Sequence, residues 1–435
     1  MSQVSSGAPR RQQVVVVGAG FGGLEAVRRL RDCPVDITVI DRRNYHLFQP
    51  LLYQVAAAAL SPADIAWPIR NLLSGQDNAR VILGRVTGVD RKGKMVQVGQ
   101  ANVPYDVLVL ATGARHSYFG NDHWEQFAPG LKKIEDATDI RRRVLVAFER
   151  AEVATNPAEQ AALLTFVVIG GGPTGVEMAG AIAELASHAL AADFHHINTK
   201  LARVILVEAG PRLLATFPEK LSAAARTDLE KLSVTVRTEA RVTDCTAEGV
   251  AMGPEFIPCK TIVWAAGVIA SPAGKWLEAP TNRVGRVIVN DKLTLPDDDS
   301  IFVVGDTAAA ANTDGKPIPG IAPAAKQMGK YVADTIRQRV AGKPALPRFH
   351  YVHQGNLATI GRSSAVVHMG SMQIKGFMAW MLWSLAHIYF LIGFKHRIVV
   401  ALNWVWSYLT FERGARLIVG EANVGLPQSP EPKAH

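Results

Sequence analysis

Short runs of consecutive apolar residues recur along the chain from Val14 to Val304. Such runs are typical of strands in the middle of a parallel sheet, because a strand covered on both faces needs apolar side chains on both. Helical patterns follow two of the runs, at Leu24–Leu30 and Val176–Leu185. This alternation of buried strands with helices predicts an α/β fold. The predicted strands are Val14–Val17, Ile37–Ile40, Val107–Leu110, Phe166–Ile169, Val204–Val207, Ile262–Trp264 and Ile301–Val304.

The C-terminal part of the chain has a different pattern, with two long apolar runs separated by cations. The first run, Phe377–Phe394, is interrupted only by Ser384 and His387, and the second extends from Ile398 to Phe411. A lysine, a histidine and an arginine at 395–397 lie between them. His387, alone among apolar residues, is expected to be a hydrogen-bonded core residue and not a ligand. Four of the eight tryptophans of the chain fall in these runs, namely Trp380, Trp383, Trp404 and Trp406.

Tryptophan is enriched at membrane–water interfaces. The two runs therefore favour a pair of helices that lie on a membrane surface, with flanking cations such as Arg413 and Arg416. Asn403, Ser407 and Thr410 recur at helical spacing and form a polar stripe in the second run. Two alternatives remain open, a buried dimer interface and a hairpin of membrane spans, for which the second run is short because a span needs about 20 residues.

Composition limits the expected number of domains, the partners and the cellular compartment, but it does not indicate which reaction the protein catalyses. The 435 residues can form two or three domains, and 48% hydrophobic and 20% charged residues are ordinary for a folded protein. The net charge is +9, but no basic run carries interleaved aromatics, so nucleic acid is not an expected partner. Cys33, Cys245 and Cys259 form no C-x-x-C pair and have no histidine at zinc-ligand spacing, which indicates a reducing compartment and predicts no metal site. Met1–Gln13 is polar and lacks the apolar segment of a signal peptide, so we expect the protein on the cytoplasmic side.

The first predicted strand leads into a glycine-rich turn that opens a helix. The turn, Gly18 to Gly23, is a G-x-G-x-x-G pattern in the strand–turn–helix context that dinucleotide binding requires. Gly18 permits the tight turn, and Gly20 lets a pyrophosphate approach the backbone at the helix N-terminus. Asp41 ends the next strand, where it can accept hydrogen bonds from an adenosine ribose. The residues predicted for this site are Gly18, Gly20, Phe21, Gly23, Asp41 and Arg42.

A second turn of the same kind extends from Gly170 to Gly175. The acid that ends the following strand, Glu208, comes later than the usual spacing of about 20 residues, so Ser187–Lys200 is expected to extend the helix or to insert a loop. A carboxylate here suits the free 2′-hydroxyl of NADH and repels a 2′-phosphate, by about 1 kcal/mol in water and about 4 kcal/mol at an effective dielectric near 20. Alternatively, Glu208 only caps the next turn. The residues predicted for this site are Gly170, Gly172, Pro173, Thr174, Gly175 and Glu208.

Two such turns imply two dinucleotides, for which a flavin and a nicotinamide are the natural pair. Three more strands end in turn motifs, at Ala111–Ala114, Ala265–Gly267 and Gly305–Asp306. Together with the glycine turns they resemble the pyridine nucleotide–disulfide oxidoreductases, from about Val14 to about Ala341. The resemblance implies that Asp306 hydrogen-bonds the ribityl chain of FAD and that the first glycine turn holds its ADP half. It adds to the predicted cofactor-binding residues Ala111, Thr112, Gly113, Ala266, Gly267, Gly305 and Asp306.

The stretch Asn44–Ala56 distinguishes this chain from the branch of the pyridine nucleotide–disulfide oxidoreductases that uses a redox-active disulfide. That branch has a C-x-x-x-x-C pair soon after the first glycine turn, whereas this stretch has no cysteine. Its pattern N-x-x-x-F-x-P-L-L-x-x-V-A instead resembles type II NADH:quinone oxidoreductases. The resemblance implies attachment to a membrane through the C-terminus and a lipid-soluble quinone as the electron acceptor.

Glu177 and Gln327 are the candidate catalytic residues. Glu177 lies in the first turn of the helix after the second glycine turn, and the resemblance implies a role in hydride or proton handling. The alternative is an acid that only complements the helix dipole, worth about 0.3–1 kcal/mol. Gln327 matches the second glutamine of the family pattern A-Q-x-A-x-Q, but Pro323 replaces the first and offers neither a side-chain hydrogen bond nor a backbone donor. Lys326 is either a substitute donor or a solvated helix residue.

We therefore expect an α/β protein with two Rossmann-like dinucleotide-binding domains, for FAD and NADH, and a membrane-associating helical region at the C-terminus. The FAD domain is expected at 1–113 and 281–350, and the NADH domain with its lead-in linker at 114–280. The anchoring region is expected at 351–425, followed by a disordered tail at 426–435.

The expected reaction is oxidation of NADH with two-electron reduction of a membrane quinone, without proton pumping, at the cytoplasmic face of the inner membrane. The expected partners are the quinone and an anionic lipid surface, with a homodimer left open. Two rival functions also stay open. One is a NADH-dependent ferredoxin or rubredoxin reductase, which would need a basic docking face. The other is a flavin-bearing NADH redox sensor without fast turnover.

Overall fold

The computed structural model describes residues 10–410 and 413–419, apart from the side chains of Phe394 and Lys395. The tail predicted at 426–435 lies outside the described residues. The chain forms two compact units. The first contains the residues up to Leu47 together with Ala66–Arg115 and Val268–Gln354, and the second contains Phe48–Ile65, His116–Gly267 and the residues from Gly355 onward. Assignment of each cofactor to a segment of the chain stays a prediction.

The α-helices of the described residues are numbered in chain order. They are α1 Phe21–Arg29, α2 Leu52–Ala56, α3 Pro62–Ile65, α4 Ile69–Leu72, α5 Ile134–Val153, α6 Pro157–Leu163, α7 Pro173–Glu184, α8 Glu219–Lys231, α9 Ala273–Leu277, α10 Ala322–Val340, α11 Phe377–Phe390 and α12 Phe394–Thr410.

The strands are numbered in the same way. They are β1 Gln12–Val17, β2 Val35–Asp41, β3 Tyr45–Leu47, β4 Ala66–Pro68, β5 Ala79–Leu83, β6 Val86–Asp90, β7 Met95–Val98, β8 Ala101–Pro104, β9 Val107–Leu110, β10 Ala114–His116, β11 Thr165–Ile169, β12 Arg203–Val207, β13 Val234–Arg237, β14 Asp244–Cys245, β15 Gly249–Met252, β16 Glu255–Pro258, β17 Thr261–Trp264, β18 Val268–Ala270, β19 Val287–Ile288, β20 Thr294–Leu295, β21 Asp298–Val303, β22 Ala308–Ala309, β23 Asn356–Ile360, β24 Ser364–Met369 and β25 Met372–Gly376.

A six-stranded sheet forms the centre of the first unit, in the order β20, β21, β9, β1, β2, β5. Its neighbouring strands are parallel except for the pair β20 and β21. Strand β1 is central, and Val14 lies beside both Ile37 and Val107. Its apolar residues are buried because neighbouring strands and helices cover both faces, as the continuous apolar run predicts.

The second unit contains a four-stranded parallel sheet in the order β13, β12, β11, β17. Phe166 on β11 lies beside Val204 on β12 and Thr261 on β17. Helix α7 follows β11 directly, as the second glycine turn predicts. The predicted α/β fold with two Rossmann-like sheets is confirmed.

The segment between α7 and β12 contains both elements that the long spacing to Glu208 allowed. A π-helical turn at Leu185–Ala189 continues α7, and a 3-10 turn at Thr199–Leu201 precedes β12. An irregular stretch joins the two turns. The helix is thus extended by one turn, and the remaining residues form a loop.

The C-terminal region begins with a three-stranded antiparallel sheet of β23, β24 and β25, which the sequence analysis did not predict. Helices α11 and α12 follow and correspond to the two apolar runs. In the described part of the chain, no helix combines the length and the apolar character that crossing a membrane would need. Nδ1 of His387 hydrogen-bonds the carbonyl oxygen of Trp383 at 2.7 Å, which confirms the prediction of a hydrogen-bonded residue.

Candidate active site

The carboxyl ends of four neighbouring strands meet at one edge of the six-stranded sheet. Strand β1 leads into Gly18 and β2 ends at Asp41. Strand β9 leads into Ala111, and Gly305 follows β21 closely. Ligands of open parallel sheets bind outside this edge. The fold of the first unit therefore brings together the residues predicted for one site, which are Gly18, Gly20, Phe21, Gly23, Asp41, Arg42, Ala111, Thr112, Gly113, Gly305 and Asp306.

The first glycine turn is packed tightly against its surroundings. Gly18 has a φ of +97°, and a Cβ added there would lie 2.4 Å from the carbonyl oxygen of Ala111. A Cβ on Gly23 would lie 1.9 Å from the carbonyl oxygen of Gly18. The amide of Ala19 donates a 2.7 Å hydrogen bond to Oδ2 of Asp41. These contacts fix the turn between two strand ends and hold Asp41 against it.

A second connection ties the turn after β9 to the turn after β21. The amide of Gly113 donates a 2.8 Å hydrogen bond to Oγ1 of Thr307, and Oγ1 of Thr112 lies 3.2 Å from the same oxygen. Gly305, Asp306 and Thr307 form a 3-10 turn in which Gly305 has a φ of +67°. The two motifs that the sequence placed far apart thus form one hydrogen-bonded wall of the site.

The second glycine turn has nearly the same construction in the second unit. Gly170 has a φ of +113°, and a Cβ on it would lie 2.8 Å from the carbonyl oxygen of Ala265. A Cβ on Gly175 would lie 1.8 Å from the carbonyl oxygen of Gly170. Glu208 accepts a 2.6 Å hydrogen bond from the amide of Gly171, as Asp41 does from Ala19 in the first unit. Around this turn lie the remaining predicted cofactor-binding residues, which are Gly172, Pro173, Thr174, Ala266 and Gly267.

Gly20 and Gly172, unlike the tightly packed glycines of the same turns, border open space. A Cβ on Gly20 or on Gly172 would meet no atom within 4 Å. Both residues also have extended backbone angles that any residue can adopt, with φ of −71° and −74°. Neither the packing nor the backbone of the protein therefore requires glycine at these positions. Open space at the N-terminus of a helix fits the pyrophosphate of a bound dinucleotide, which approaches the backbone there.

Glu177 is the fifth residue of α7, so the prediction that it lies in the first turn of this helix is wrong. It is buried, with 9% of its surface exposed. Its Oε1 has one long hydrogen bond, 3.5 Å from the amide of Thr359. Burial raises the pKa of Glu177 from 4.5 to about 8, since the charged form loses its hydration, and the Thr359 amide opposes this rise only in part. The carboxyl group is therefore largely protonated at neutral pH.

Glu177 lines a partly open cavity in the second unit. The cavity is bordered by α2, α7, the turn after β23, α11 and α12. Four aromatic residues of α11 and α12 line it, namely Trp380, Trp383, Trp404 and Tyr408. A mostly apolar cavity with a few polar groups is typical of a small-molecule site.

The polar groups of the cavity include a chain of hydrogen bonds from α12 to α2. Nε1 of Trp404 donates to Oε1 of Gln54 at 2.8 Å. Nε2 of Gln54 donates to the hydroxyl oxygen of Tyr53 at 2.9 Å. Burial raises the pKa of Tyr53 well above 10, and the negative charge of Glu177 raises it further. Tyr53 therefore keeps its proton.

A buried ion pair closes one side of the same cavity. Arg413 lies 3.4 Å from Oε2 of Glu184, and only 9% and 11% of the two side chains are exposed. Arg413 also donates to the carbonyl oxygens of Ala57 and Ala181, at 2.8 and 3.0 Å. The other oxygen of Glu184 accepts a 2.8 Å hydrogen bond from the amide of Arg362. This ion pair joins the end of the described chain to α7 and α2.

Gln327 lies in the first unit, on α10, whereas Glu177 lies in the second. Nε2 of Gln327 donates to the carbonyl oxygen of Val352 at 2.8 Å, and its Oε1 accepts from the amide of the same residue at 3.0 Å. Pro323 lies in the first turn of α10, where a missing backbone donor costs little. The catalytic role of Gln327 stays a prediction.

The sequence patterns predict no role for Tyr53, Gln54 or Glu184, and they present Arg413 and Trp404 only as membrane-facing residues. Tyr53 and Gln54 occupy the two unspecified positions of the P-L-L-x-x-V-A pattern, so the pattern passed over them. Trp404 and Arg413 turn inward and line the cavity. For residues within or beside an apolar run, the sequence does not indicate whether a side chain points into the protein or toward the membrane.

Two matches between this chain and known families cover most of its length. Residues 12–329 match the family described as pyridine nucleotide-disulphide oxidoreductase, and residues 353–413 match the NDH2 C-terminal domain. The curated type II NADH:quinone oxidoreductase Ndh of Mycobacterium tuberculosis is 44% identical over 428 residues, which are 95% of this chain and 91% of that protein. This chain belongs to the type II NADH:quinone oxidoreductase family. The resemblance stated from Asn44–Ala56 is thereby confirmed.

Another curated member of the type II NADH:quinone oxidoreductase family and two solved structures are also similar to this chain. NdhA of M. tuberculosis is 42% identical, covering 96% of this chain and 92% of its own length. The structure of NDH2 from Plasmodium falciparum in complex with NADH superposes with a TM-score of 0.85 at 20% identity, over 94% of this chain and all of that one. The sulfide:quinone oxidoreductase of Aquifex aeolicus gives 0.72 at 19% identity, over 94% of this chain and 96% of that one. These two likenesses show the fold alone.

Proposed function

We propose that this chain oxidises NADH, with FAD as its resident cofactor, and reduces a membrane quinone by two electrons without pumping protons. The observation that carries the proposal is the position of Glu177. Helix α7 begins in the second glycine turn, and a few residues later it contributes a buried, protonated carboxyl group to an aromatic cavity. One helix therefore serves a dinucleotide site and a site for an apolar substrate that takes up protons.

The two glycine turns hold the two dinucleotides. Gly18, Gly20 and Gly23 with Asp41 hold the ADP half of FAD, and Asp306 binds its ribityl chain. Gly170, Gly172 and Gly175 with Glu208 hold NADH. FAD, when bound, accepts a hydride from NADH and returns two electrons to the quinone. The open space at Gly20 and Gly172 supports this assignment.

The cavity binds the quinone head group. Its aromatic wall offers a flat apolar surface, and Glu177 is the proton source. A carboxyl group whose pKa is raised to about 8 is neutral at pH 7, so it can enter an apolar site and donate a proton to a carbonyl oxygen as that oxygen gains electrons. For Gln327, on α10 of the first unit, we keep the role in the reaction with quinone that the family pattern implies.

Helices α11 and α12 attach the protein to the cytoplasmic face of the membrane. Their exposed apolar side chains would enter the lipid surface, and a cation such as Arg397 would face anionic lipid. The arrangement is peripheral, and a homodimer stays open. The large apolar side chains of the two helices that are more than half exposed include Met378, Leu385, Tyr389, Leu402, Val405, Trp406 and Leu409.

The decisive test follows the flavin absorbance of the purified, FAD-loaded protein. NADH should bleach it, and a short-chain quinone should restore it within the time of a catalytic cycle. Bleaching without recovery by any quinone would favour the redox sensor, and recovery only with a ferredoxin or rubredoxin would favour the reductase of those proteins. A protein that takes up no FAD would contradict the proposal as a whole.

A further inference from the structure

Hydrogen-bond direction can be followed through the cavity from one end to the other. The indole Nε1–H of Trp404 can only donate, so the atom of Gln54 that it meets at 2.8 Å must be the carbonyl oxygen. The amide nitrogen of Gln54 must then be the atom 2.9 Å from Tyr53. Since that nitrogen can also only donate, the hydroxyl oxygen of Tyr53 is the acceptor.

A phenol that accepts a hydrogen bond still has its own hydrogen to donate. Among the described residues, the hydroxyl of Tyr53 has no hydrogen-bond partner besides Gln54. Tyr53 lines the cavity and is only 6% exposed, so bulk water is not a ready acceptor for this hydrogen. A buried donor without an acceptor is destabilising, and a ligand with an acceptor atom would relieve this cost.

We infer that Tyr53 is the hydrogen-bond donor to a carbonyl oxygen of the quinone, and that Trp404 and Gln54 are positioning residues that fix the direction of its hydroxyl group. The inference rests on the proposed function and names the group that recognises the substrate. It also links α12, the proposed membrane-facing helix, to the substrate through Trp404.

The chemistry of the substrate follows from the same geometry. The cavity offers a neutral donor in Tyr53 and a neutral carboxyl group in Glu177, on an apolar aromatic background. A planar diketone presents acceptor oxygens and carries no charge that would need to be desolvated. A planar hydrocarbon of the same shape gains the aromatic contacts but cannot accept the hydrogen of Tyr53.

The experiment measures binding of menadione and of 2-methylnaphthalene, which has the same ring system without the carbonyl oxygens. Equilibrium dialysis is done on the full-length, FAD-loaded, oxidised protein and on Tyr53→Phe. We expect the substitution to weaken menadione binding about threefold to tenfold, the range of one neutral hydrogen bond, and to leave 2-methylnaphthalene binding unchanged. Tyr389→Phe, a substitution at an exposed tyrosine outside the cavity, is the matched control and should change neither.

The positioning role is tested by a double-mutant cycle. Trp404→Phe removes the indole donor but keeps an aromatic ring, and it should weaken menadione binding in the wild-type background only. In the Tyr53→Phe background it should have little further effect, because the two residues act through one hydrogen bond. If Trp404→Phe does not fold, Gln54→Met interrupts the same chain of hydrogen bonds. Reduction of ferricyanide by NADH, which needs no carbonyl donor, is measured in every variant to check that NADH still delivers electrons.

Three outcomes would overturn the inference. Tyr53→Phe could bind menadione as the wild type does, it could lose both ligands equally, or the effects of Tyr53→Phe and Trp404→Phe could simply add. In each case the proposed function stands as long as the wild type reduces menadione with NADH. A wild-type protein that neither binds nor reduces menadione would instead contradict the proposed function.

Discussion

The carboxylate of Glu208 is hydrogen-bonded to the backbone amide of Gly171, with a distance of 2.6 Å between Oε2 and the nitrogen. Its other oxygen accepts from the amide of Gly210, also at 2.6 Å. The capping contact that the sequence analysis named as an alternative is therefore present. It does not exclude a ribose contact, because each carboxylate oxygen can accept more than one hydrogen bond.

Glu208→Gln should shift the preference from NADH toward NADPH. The substitution removes the charge that repels a 2′-phosphate and keeps one acceptor oxygen for the glycine turn. We expect the ratio of kcat/KM for NADPH to that for NADH to rise at least about fivefold, which corresponds to about 1 kcal/mol of relieved repulsion. Glu230→Gln, at an exposed acid of α8, should leave the ratio unchanged. An unchanged ratio for Glu208→Gln would remove Glu208 from cofactor selection.

Gly20→Ala and Gly23→Ala should separate cofactor binding from folding. A Cβ on Gly20 meets no protein atom, so Gly20→Ala should fold with a melting temperature of the apoprotein near that of the wild type, yet bind FAD at least about tenfold more weakly. A Cβ on Gly23 would lie 1.9 Å from the carbonyl oxygen of Gly18, so Gly23→Ala should lower the stability of the apoprotein itself. Normal FAD affinity in Gly20→Ala would show that the open space is not the pyrophosphate site.

Glu177→Gln should change how stability depends on pH. The pKa of Glu177 is about 8 in the folded protein and near 4.5 when unfolded, so the folded state retains its proton over this interval and the unfolded state does not. The buried carboxyl group therefore does not destabilise the protein below about pH 4.5, and the protein progressively loses stability as the pH rises to about 8. At pH 7 the glutamine variant should be more stable than the wild type by roughly 3 kcal/mol.

Urea unfolding of the two proteins at pH 5, 6.5 and 8 measures this difference. Other titrating groups are common to both proteins and largely cancel in the comparison. If the difference in free energy of unfolding between the two proteins does not increase from pH 5 to pH 8, Glu177 is ionised at neutral pH. Its proposed role as a proton donor would then fail.

Arg413→Met should be strongly destabilising, by about 3–5 kcal/mol, because it leaves the carboxylate of Glu184 buried without its cation. Arg416→Met is the matched control. Arg416 pairs with Asp193, but these side chains are 31% and 44% exposed, so the loss should be at most about 1 kcal/mol. Chemical denaturation measures the loss of unfolding free energy in both arginine variants. Glu184→Gln combined with Arg413→Met should recover part of the loss, and equal losses for both arginine variants would contradict this account of the ion pair.

Membrane attachment should depend on exposed apolar side chains of α11 and α12. Leu385 and Leu409 are 63% and 71% exposed, so replacing both by glutamate should reduce sedimentation with anionic vesicles without disturbing the cavity. Leu201, which is 69% exposed and lies outside these helices, provides the control Leu201→Glu. If the double variant still sediments with the vesicles while the control behaves as the wild type, these helices are not the attachment surface.

The parts of the fold that sequence predicts well are those whose pattern is local. A run such as Val14–Val17 has to be a buried strand, and Gly18 to Gly23 repeat the requirements of a strand–turn–helix junction within six residues. The strand ends that carry Asp41 and Glu208 follow from the same local reasoning. Both acids contact the glycine turn as their positions imply.

The cavity could not be predicted because its wall is assembled from distant segments. Arg413 and Glu184 are 229 positions apart, and Trp404 and Gln54 are 350 apart. An apolar run also does not say which of its faces turns inward. Trp383, grouped by sequence with interfacial tryptophans, is 2% exposed, whereas Trp406 is 60% exposed.

Helix α7 is closely packed at two of its glycines and lines the cavity with Glu177, Ala181 and Glu184. Gly175 and Gly180 press against backbone atoms, since a Cβ would lie 1.8 Å from the oxygen of Gly170 and 3.0 Å from the nitrogen of Gly361. Drug resistance at this cavity should accordingly arise on the aromatic side. An inhibitor held mainly by Trp380 or Tyr408 could be escaped by exchanging one ring for another. One that contacts Glu177 or Glu184 on α7 could be escaped only by substitutions that remove the proposed proton donor or break the buried ion pair with Arg413.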